Sequence, residues 1–356
     1  MFEIDLENAF DFNSAEYASL FEQSRASAFQ HPLWLDAMYR SLIPSRGATP
    51  LVVVARTRAE GRLAMVLPLL RRKRYGMRVV EFADLGLSDY AAAVCNDADF
   101  EALAQDQQAR QRIRSLVRPF DLIRITKIRD DSQRLERLFA SARRDAMGME
   151  AHATPLFAPY PDWRAANVPL SHARNYAKKR RQLGRLGAVK FERLHEPEAA
   201  IRLLRDLQRF RGQRYPDDLL RDESYFKFYG SVTLAGLASG FVRAYRTSLD
   251  GCTLSAAWGL SHHGRFLILV TGFDETHAHR SPGALAFEDI AADCIAEQDA
   301  TLDFTCGNEG YKGEIFGAVP SRLWMVLAGG TALGVAADTV AARFALGGHR
   351  RKPQAA

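Results

Sequence analysis

The sequence predicts an α/β (α+β) protein of two tandem domains, each with a mixed, mainly antiparallel sheet. Three observations carry this expectation. The chain has 356 residues, more than one hydrophobic core usually serves. In both halves, short apolar runs alternate with segments of helical period. Two turns also share a spelling, Arg56-Thr57-Arg58-Ala59-Glu60-Gly61 and Arg246-Thr247-Ser248-Leu249-Asp250-Gly251. Each stands between an apolar run and a run ending in Leu, where a hairpin needs a left-handed residue that glycine supplies.

Residues 12–43 read as helical. Ser14 is placed to cap a helix from Ala15, and Pro32 opens a second helix carrying Trp34, Leu35, Met38 and Leu42. His31 beside that proline reads as a structural histidine at a helix start. Strands follow at 51–55, 63–70 and 79–82, a long polar-faced helix at 97–117, a strand at 121–128 and a helix at 131–146. The second half repeats the order: helices at 196–211 and 223–238, the second hairpin, a strand at 265–271, a helix after Pro282, and strands at 301–304 and 322–327. Recurrence of this order points to duplication. Pro155, Pro159 and Pro161 mark the connector. The expected domains are 1–165, 166–335, and a C-terminal helix with a basic tail at 336–356.

Composition is that of a globular chain, 47% hydrophobic and 25% charged. No basic and apolar leader opens the chain, and the apolar stretch 323–337 falls short of a membrane span and reads as a strand and turn. A cytoplasmic location without membrane insertion is expected. Cys95, Cys252, Cys294 and Cys306 form neither a CxxC pair nor a Cys/His cluster; buried free thiols are expected and no metal. His262-His263 beside Gly264 reads as a solvated hairpin tip. The net charge of +6 suits anionic substrates as well as nucleic acid. Within 171–187 stand Arg174, Lys178, Lys179, Arg180, Arg181 and Arg185 without an acid; they read as a solvated face or as a contact to an anion. Dinucleotide, P-loop and lipase-type motifs are missing from the sequence, and no RNA-reading aromatic motif stands beside the basic run.

Chemistry is expected around three segments. An apolar strand ends at Thr271-Gly272-Phe273-Asp274, and Arg280-Ser281-Pro282-Gly283-Ala284 opens a helix. Ser281 stands at the N-cap position and Pro282 in the first turn. Gly283 costs roughly 1 kcal/mol of helix propensity, as suits a close approach to backbone N–H groups that can hold a pyrophosphate. Downstream, Asp303-Phe304-Thr305-Cys306-Gly307-Asn308-Glu309-Gly310-Tyr311-Lys312 forms a polar loop at a strand end. Asp303 or Glu309 suits a general base, Tyr311 a proton donor, and Lys312 the partner of an acid or phosphate; a solvated turn is the plainer reading. Asp89 and Tyr90 follow a strand of the first half. Trp258 lies in an apolar strand that reads as core.

These segments resemble the CelD/BcsL-like acetyltransferases, a branch of the Gcn5-related N-acetyltransferase (GNAT) superfamily related to the Fem-type aminoacyl transferases. The resemblance runs over roughly 25–328. It rests on the helix with Arg174, Asn175 and Arg181, the strand with Trp258, the segments at 273–274 and 281–283, and the loop at 303–312. It implies tandem acyl-CoA N-acyltransferase-like domains, with acetyl-CoA or another acyl-CoA as donor in the second and no metal. Thr271, Gly272, Phe273, Arg280, Ser281, Pro282, Gly283 and Ala284 are the implied donor-binding residues. Asp303, Glu309 and Tyr311 are catalytic candidates. Asp89, Tyr90, Arg174, Lys178, Arg181, Trp258, Asp274, Asn308 and Lys312 are candidates for a sugar or amine acceptor, with a link to polysaccharide or cell-envelope metabolism. The family's donor loop ends in Gly or Ala where this chain has Leu285. That departure keeps a catalytically inactive scaffold open as an alternative, and the basic helix keeps a Fem-type enzyme using aminoacyl-tRNA. A DNA partner is not expected, nor is RNA on the first reading.

Overall fold

The computed structural model describes residues 1–74 and 76–331, together with 334 and 336. The rest of the expected C-terminal helix and basic tail lies outside the described residues. The chain divides into two units, one from Met1 to Glu150 that also takes the described residues from Arg322, and one from Ala151 to Ser321. Among the described residues, no helix is long and apolar enough to cross a membrane.

In the first unit, β1 (Phe2–Leu6), β2 (Thr49–Thr57), β3 (Leu63–Arg74) and β4 (Met77–Phe82) form an antiparallel meander, with β5 (Val94–Cys95) on β3. Helices α1 (Ala15–Glu22), α2 (Pro32–Ala37) and α3 (Ile43–Ser45) stand between β1 and β2. Ser14 accepts from the Tyr17 N–H and caps α1, as the sequence predicts. The His31 ring caps α2 by accepting from the Leu33 N–H. The expected helix at 97–117 is two, α4 (Asp97–Gln105) and α5 (Gln107–Leu116). Asp106 divides them because its carboxylate caps α5, accepting from Gln108 and Ala109. β6 (Leu122–Arg129) pairs parallel with β4 at Val79–Leu122 and Val80–Ile123. Val53, Leu67, Ile123 and Ile125 pack there against Phe100, Leu103 and Ile113.

Past Val80 and Ile123, residues 84–93 run along β6. The Ala91 N–H donates to the Lys127 carbonyl at 3.0 Å. Lys127, at φ 61°, donates from Nζ to the Ser88 carbonyl at 2.7 Å and pairs with Asp89 at 3.2 Å. Leu85, Leu87, Tyr90, Ala91, Ala92 and Ala93 are buried. The first unit thus closes the parting of its parallel strands with its own chain.

The second unit begins with the end of β7 (Arg143–Pro155), then α6 (Tyr160–Asn167), α7 (Leu170–Gly184), β8 (Val189–Leu194), α8 (Pro197–Arg214) and α9 (Glu223–Gly236). β9 (Val242–Leu249), β10 (Cys252–His262) and β11 (Arg265–Phe273) form a second antiparallel meander, followed by α10 (Pro282–Ala296), β12 (Thr301–Cys306), α11 (Tyr311–Phe316) and β13 (Val319–Gly329). The strand order is β7-β12-β11-β10-β9-β8, antiparallel except that β11 and β12 are parallel. Both expected hairpins form, with Gly61 at φ 66° and Gly251 at φ 82°. Phe266, Ile268, Phe287, Ile290, Leu302 and Phe304 make the core.

The expected divide between 165 and 166 falls inside α6, and Leu323–Gly329, expected in the second domain, pair with β6 of the first unit. The expected helix at 131–146 is a short 3-10 turn (Leu135–Leu138) followed by the start of β7. There Arg144 lies over the Trp324 ring at 4.0 Å, a tertiary contact that the local pattern does not report. Cys95 and Cys294 are buried as expected, whereas Cys252 is exposed and Cys306 half-buried.

Candidate active site

The only parallel pair of the second unit's described strands is short. Arg265, Phe266 and Leu267 face Thr301, Leu302 and Asp303; beyond them β11 continues to Phe273 and β12 to Cys306 without further pairing to each other. On its other edge β11 carries a bulge: Trp258 faces Val270 and Gly259 faces Ile268, so Leu269 is an extra residue. A bulge re-aims the backbone groups around it. The bulge stands beside the stretch where the two parallel strands part. Thr305, at φ 56°, keeps the turn of β12 there, and its hydroxyl donates to the Ile268 carbonyl at 3.4 Å.

Beyond Phe273, Asp274 accepts from the Thr276 N–H and hydroxyl and so caps a 3-10 turn (Glu275–Arg280). Burial alone would raise its carboxyl; the Thr276 bonds outweigh that and hold it below its ordinary value. Ser281 then takes a left-handed conformation, φ 52° and ψ 48°, and α10 begins at Pro282. Ser281 stands at the N-cap position as expected, but its side chain makes no cap bond; its hydroxyl accepts from Lys179 Nζ at 2.6 Å. The first turn of α10 therefore keeps N–H groups uncapped by a side chain, at the positive end of the helix. Arg280 Nε is buried without a hydrogen-bond partner among the described residues. Gly283 lies close under Phe273: a Cβ there would stand 3.2 Å from that ring, which would have to shift slightly. Ala284 and Leu285 turn into a cluster with Tyr176, Leu183 and Leu254. The unusual Leu285 thus fills core space rather than the mouth of the helix. Gly272 lets α8 close onto β11, since a Cβ would lie 3.1 Å from Phe210 Cβ, and the Thr271 carbonyl accepts from Arg211.

α7 divides its cations by face. Lys179 is half-buried against Ser281, and Arg180, though exposed, binds Asp289 and the buried Glu288, which Arg164 also holds. Arg174, Lys178 and Arg181, spaced one helical face apart, are exposed.

The loop after β12 is held from inside. Lys312 is 3% exposed; it pairs with Glu309 at 2.9 Å and donates to the Cys306 carbonyl at 3.1 Å. Its expected place against the acceptor is corrected, because its ammonium is spent on the loop. Burial tends to raise the Glu309 carboxyl, but Lys312 outweighs this and holds it below its ordinary value. Tyr311 lies flat on Phe287 at 5.8 Å, and its phenol is pushed well up by burial, then by Glu309 and Tyr215, with Arg214 opposing. Asn308 is exposed beside Glu309.

Four further candidates are engaged in packing or pairing. Asp303 is fully buried, with Oδ1 accepting from the Thr305 N–H and Oδ2 paired with Arg265 at 2.9 Å. It shapes the end of β12 and is poorly placed to take a proton. Trp258 is buried with its indole N–H on the Thr233 hydroxyl, core under α9 as its apolar strand predicts, with no exposed face for the acceptor contact implied by the resemblance. Tyr90 is 2% exposed and packs on Phe29, and Asp89 is paired with Lys127, so both serve the interior of the first unit. Sequence reading passed over Arg211, Arg214 and Tyr215 at the end of α8. Arg214 lies over the rings of Tyr215 and Phe273, and the helix-end run Arg211-Gly212-Gln213-Arg214-Tyr215 was the signal available.

Residues 171–313 match the family model described as an acetyltransferase (GNAT) domain. The two-unit fold is that of tandem GNAT proteins. Among solved structures, FemX is similar at 12% identity, covering 90% of this chain and 96% of that one, TM-score 0.60. The C-terminal domain of a putative lysylphosphatidylglycerol synthetase from Agrobacterium fabrum follows at 11% identity, 98% and 100% coverage, TM-score 0.55. A tandem GNAT protein from the clavulanic acid biosynthesis pathway gives 15%, 92% and 98%, and 0.52. No curated protein matches the sequence. The GNAT match spans α7 through the loop at 303–312, and so contains the parting strands and the start of α10.

Proposed function

We propose that the second unit moves an acetyl or other acyl group from a CoA thioester to an amine or hydroxyl acceptor. The observation that carries this is the combination at one strand end: β11 and β12 part beside the bulge at Leu269, and the uncapped first turn of α10 stands just beyond β11. The donor's pyrophosphate would lie on the Gly283 and Ala284 N–H groups, with Arg280 and Lys179 adding charge. Its acyl carbonyl would accept from a β11 N–H past the bulge. The acceptor nitrogen or oxygen attacks that carbonyl carbon, its bond to carbon forms and the C–S bond breaks. Glu309, kept ionised by Lys312, takes the acceptor proton through water, and Tyr311, kept protonated by its burial, supplies one to the leaving thiolate. Positioning provides most of the rate, so no nucleophilic cysteine is needed.

The CelD/BcsL-like resemblance supports a sugar or amine acceptor in polysaccharide or cell-envelope metabolism. A second reading, a Fem-type transferase using aminoacyl-tRNA, is favoured by the exposed face of Arg174, Lys178 and Arg181 and by the similarity to FemX. The inactive-scaffold alternative loses its motive where Leu285 packs inward. Calorimetry with acetyl-CoA and with aminoacyl-tRNA separates these readings. Acetyl-CoA binding that Gly283→Trp abolishes is the expected result. Failure to bind at millimolar acetyl-CoA would remove this reading, and binding that survives Gly283→Trp would move the site elsewhere.

A further inference from the structure

The end of α8 holds a cation with no structural task equal to its placement. Arg214 is half-exposed, and its guanidinium carbon lies 5.4 Å from the centroid of the Tyr215 ring and 5.6 Å from that of Phe273. Its ion pair is a long 3.6 Å contact to Glu275, itself 45% exposed. Such a surface pair contributes at most about 1 kcal/mol, so an incoming anion displaces it easily. Arg211, three residues earlier, is by contrast fully engaged by Asp218 and the Thr271 carbonyl.

The location gives Arg214 its meaning. It stands over the face of Phe273, while the edge of that ring abuts Gly283 at the start of α10. Phe273 thus separates the helix mouth assigned to the donor from Arg214. Tyr311, beyond β12, has its phenol pushed up mainly by burial, with Tyr215 adding to this and Arg214 opposing it. A group held by Arg214 is therefore beside the reacting end of the donor and not on its phosphates. Tyr215, 44% exposed, offers a ring face next to it. A planar guanidinium braced between two aromatic faces keeps its fork free for a carboxylate or phosphate.

We infer that Arg214 and Tyr215 are the acceptor-recognition edge of this site, and that the acceptor is an amine or alcohol carrying a carboxylate or phosphate. This rests on the donor reading above. The shared chemistry is one anionic group a few ångströms from the acylated atom; a sugar phosphate and an amino acid are its two sources.

Binding of four probes is measured by calorimetry, with and without acetyl-CoA: glucosamine 6-phosphate against glucosamine, and alanine against alaninamide, which lacks the carboxylate. CoA release is followed in parallel. At least one anionic probe is expected to bind roughly tenfold tighter than its neutral twin. Arg214→Ala should erase that preference mainly through KM, Arg214→Lys should restore part of it, and Arg209→Ala, an exposed cation on the same helix, should leave it intact. Preference within the phosphate pair alone identifies a sugar phosphate, and within the alanine pair alone an amino acid. No anionic preference in either pair, or an Arg214→Ala loss equal for charged and neutral probes, overturns the inference. Acetyl-CoA that fails to bind while the anionic preference stands would sink the donor reading alone.

Discussion

Lys179 Nζ donates to the Ser281 hydroxyl at 2.6 Å, tying the basic helix α7 to the left-handed residue that opens α10. The bond leaves the ammonium at the mouth of the helix, where the proposed donor's phosphates would lie. Lys179→Met should weaken acetyl-CoA binding roughly tenfold, since one charge-assisted contact is lost. Stability should move by no more than about 0.5 kcal/mol, because the residue is only half-buried. Calorimetry and thermal melting report the two effects separately.

Tyr311 tests the chemistry. Burial keeps its phenol protonated well above its ordinary range, so the wild-type rate should show no falling limb from this group up to about pH 10. Tyr311→Phe should lower kcat roughly a hundredfold and leave the profile's shape below pH 9 unchanged. An unaltered kcat would remove Tyr311 from the mechanism.

His31 makes the first unit's stability depend on pH. Its ring nitrogen accepts the Leu33 N–H as the cap of α2, which requires the neutral ring, and burial pushes its pKa down from 6.5 to about 4. The unfolded chain therefore binds the proton more readily. Stability should be full above the unfolded value and fall as pH drops from about 6.5 to 4, by up to roughly 3 kcal/mol. His31→Asn, which keeps a cap, should flatten that slope in urea titrations at pH 5 and pH 7.

Arg243 and Asp299 form a buried, doubly hydrogen-bonded pair in the second unit. Asp299→Ala strands the guanidinium and should cost about 3–5 kcal/mol, seen as a lower urea midpoint at unchanged slope.

Much of the fold was legible because its signals are local. Gly61 and Gly251 announce their hairpins, Ser14 its cap, and the apolar run into Thr271 its strand. The helix expected at 131–146 failed where a distant partner, Trp324, draws Arg144 into a strand. β1 alternates plainly, Phe2-Glu3-Ile4-Asp5-Leu6, yet went unread beside the acidic start of the chain. At the site, the sequence located the strand end, the glycine and the polar loop. It could not say which polar groups were already taken: Asp303 by Arg265, Lys312 by the loop carbonyls, Trp258 by Thr233. Those pairings join residues far apart in sequence or turn on which way a side chain faces. Arg214 was missed for the same reason, since only the packed structure puts Phe273 under it.

The bond from the Ala91 N–H to the Lys127 carbonyl has a consequence for how the gene tolerates change. A stretch that closes its own unit's strands is expected to be constrained chiefly by packing. Variants across residues 84–93 should then be sorted by size and polarity, with conservative apolar exchanges passing freely. Variants across 303–312 should be sorted by functional group, with even isosteric exchanges penalised. A deep mutational scan scored once for abundance and once for turnover would give two superimposable maps over the first stretch and two divergent ones over the second.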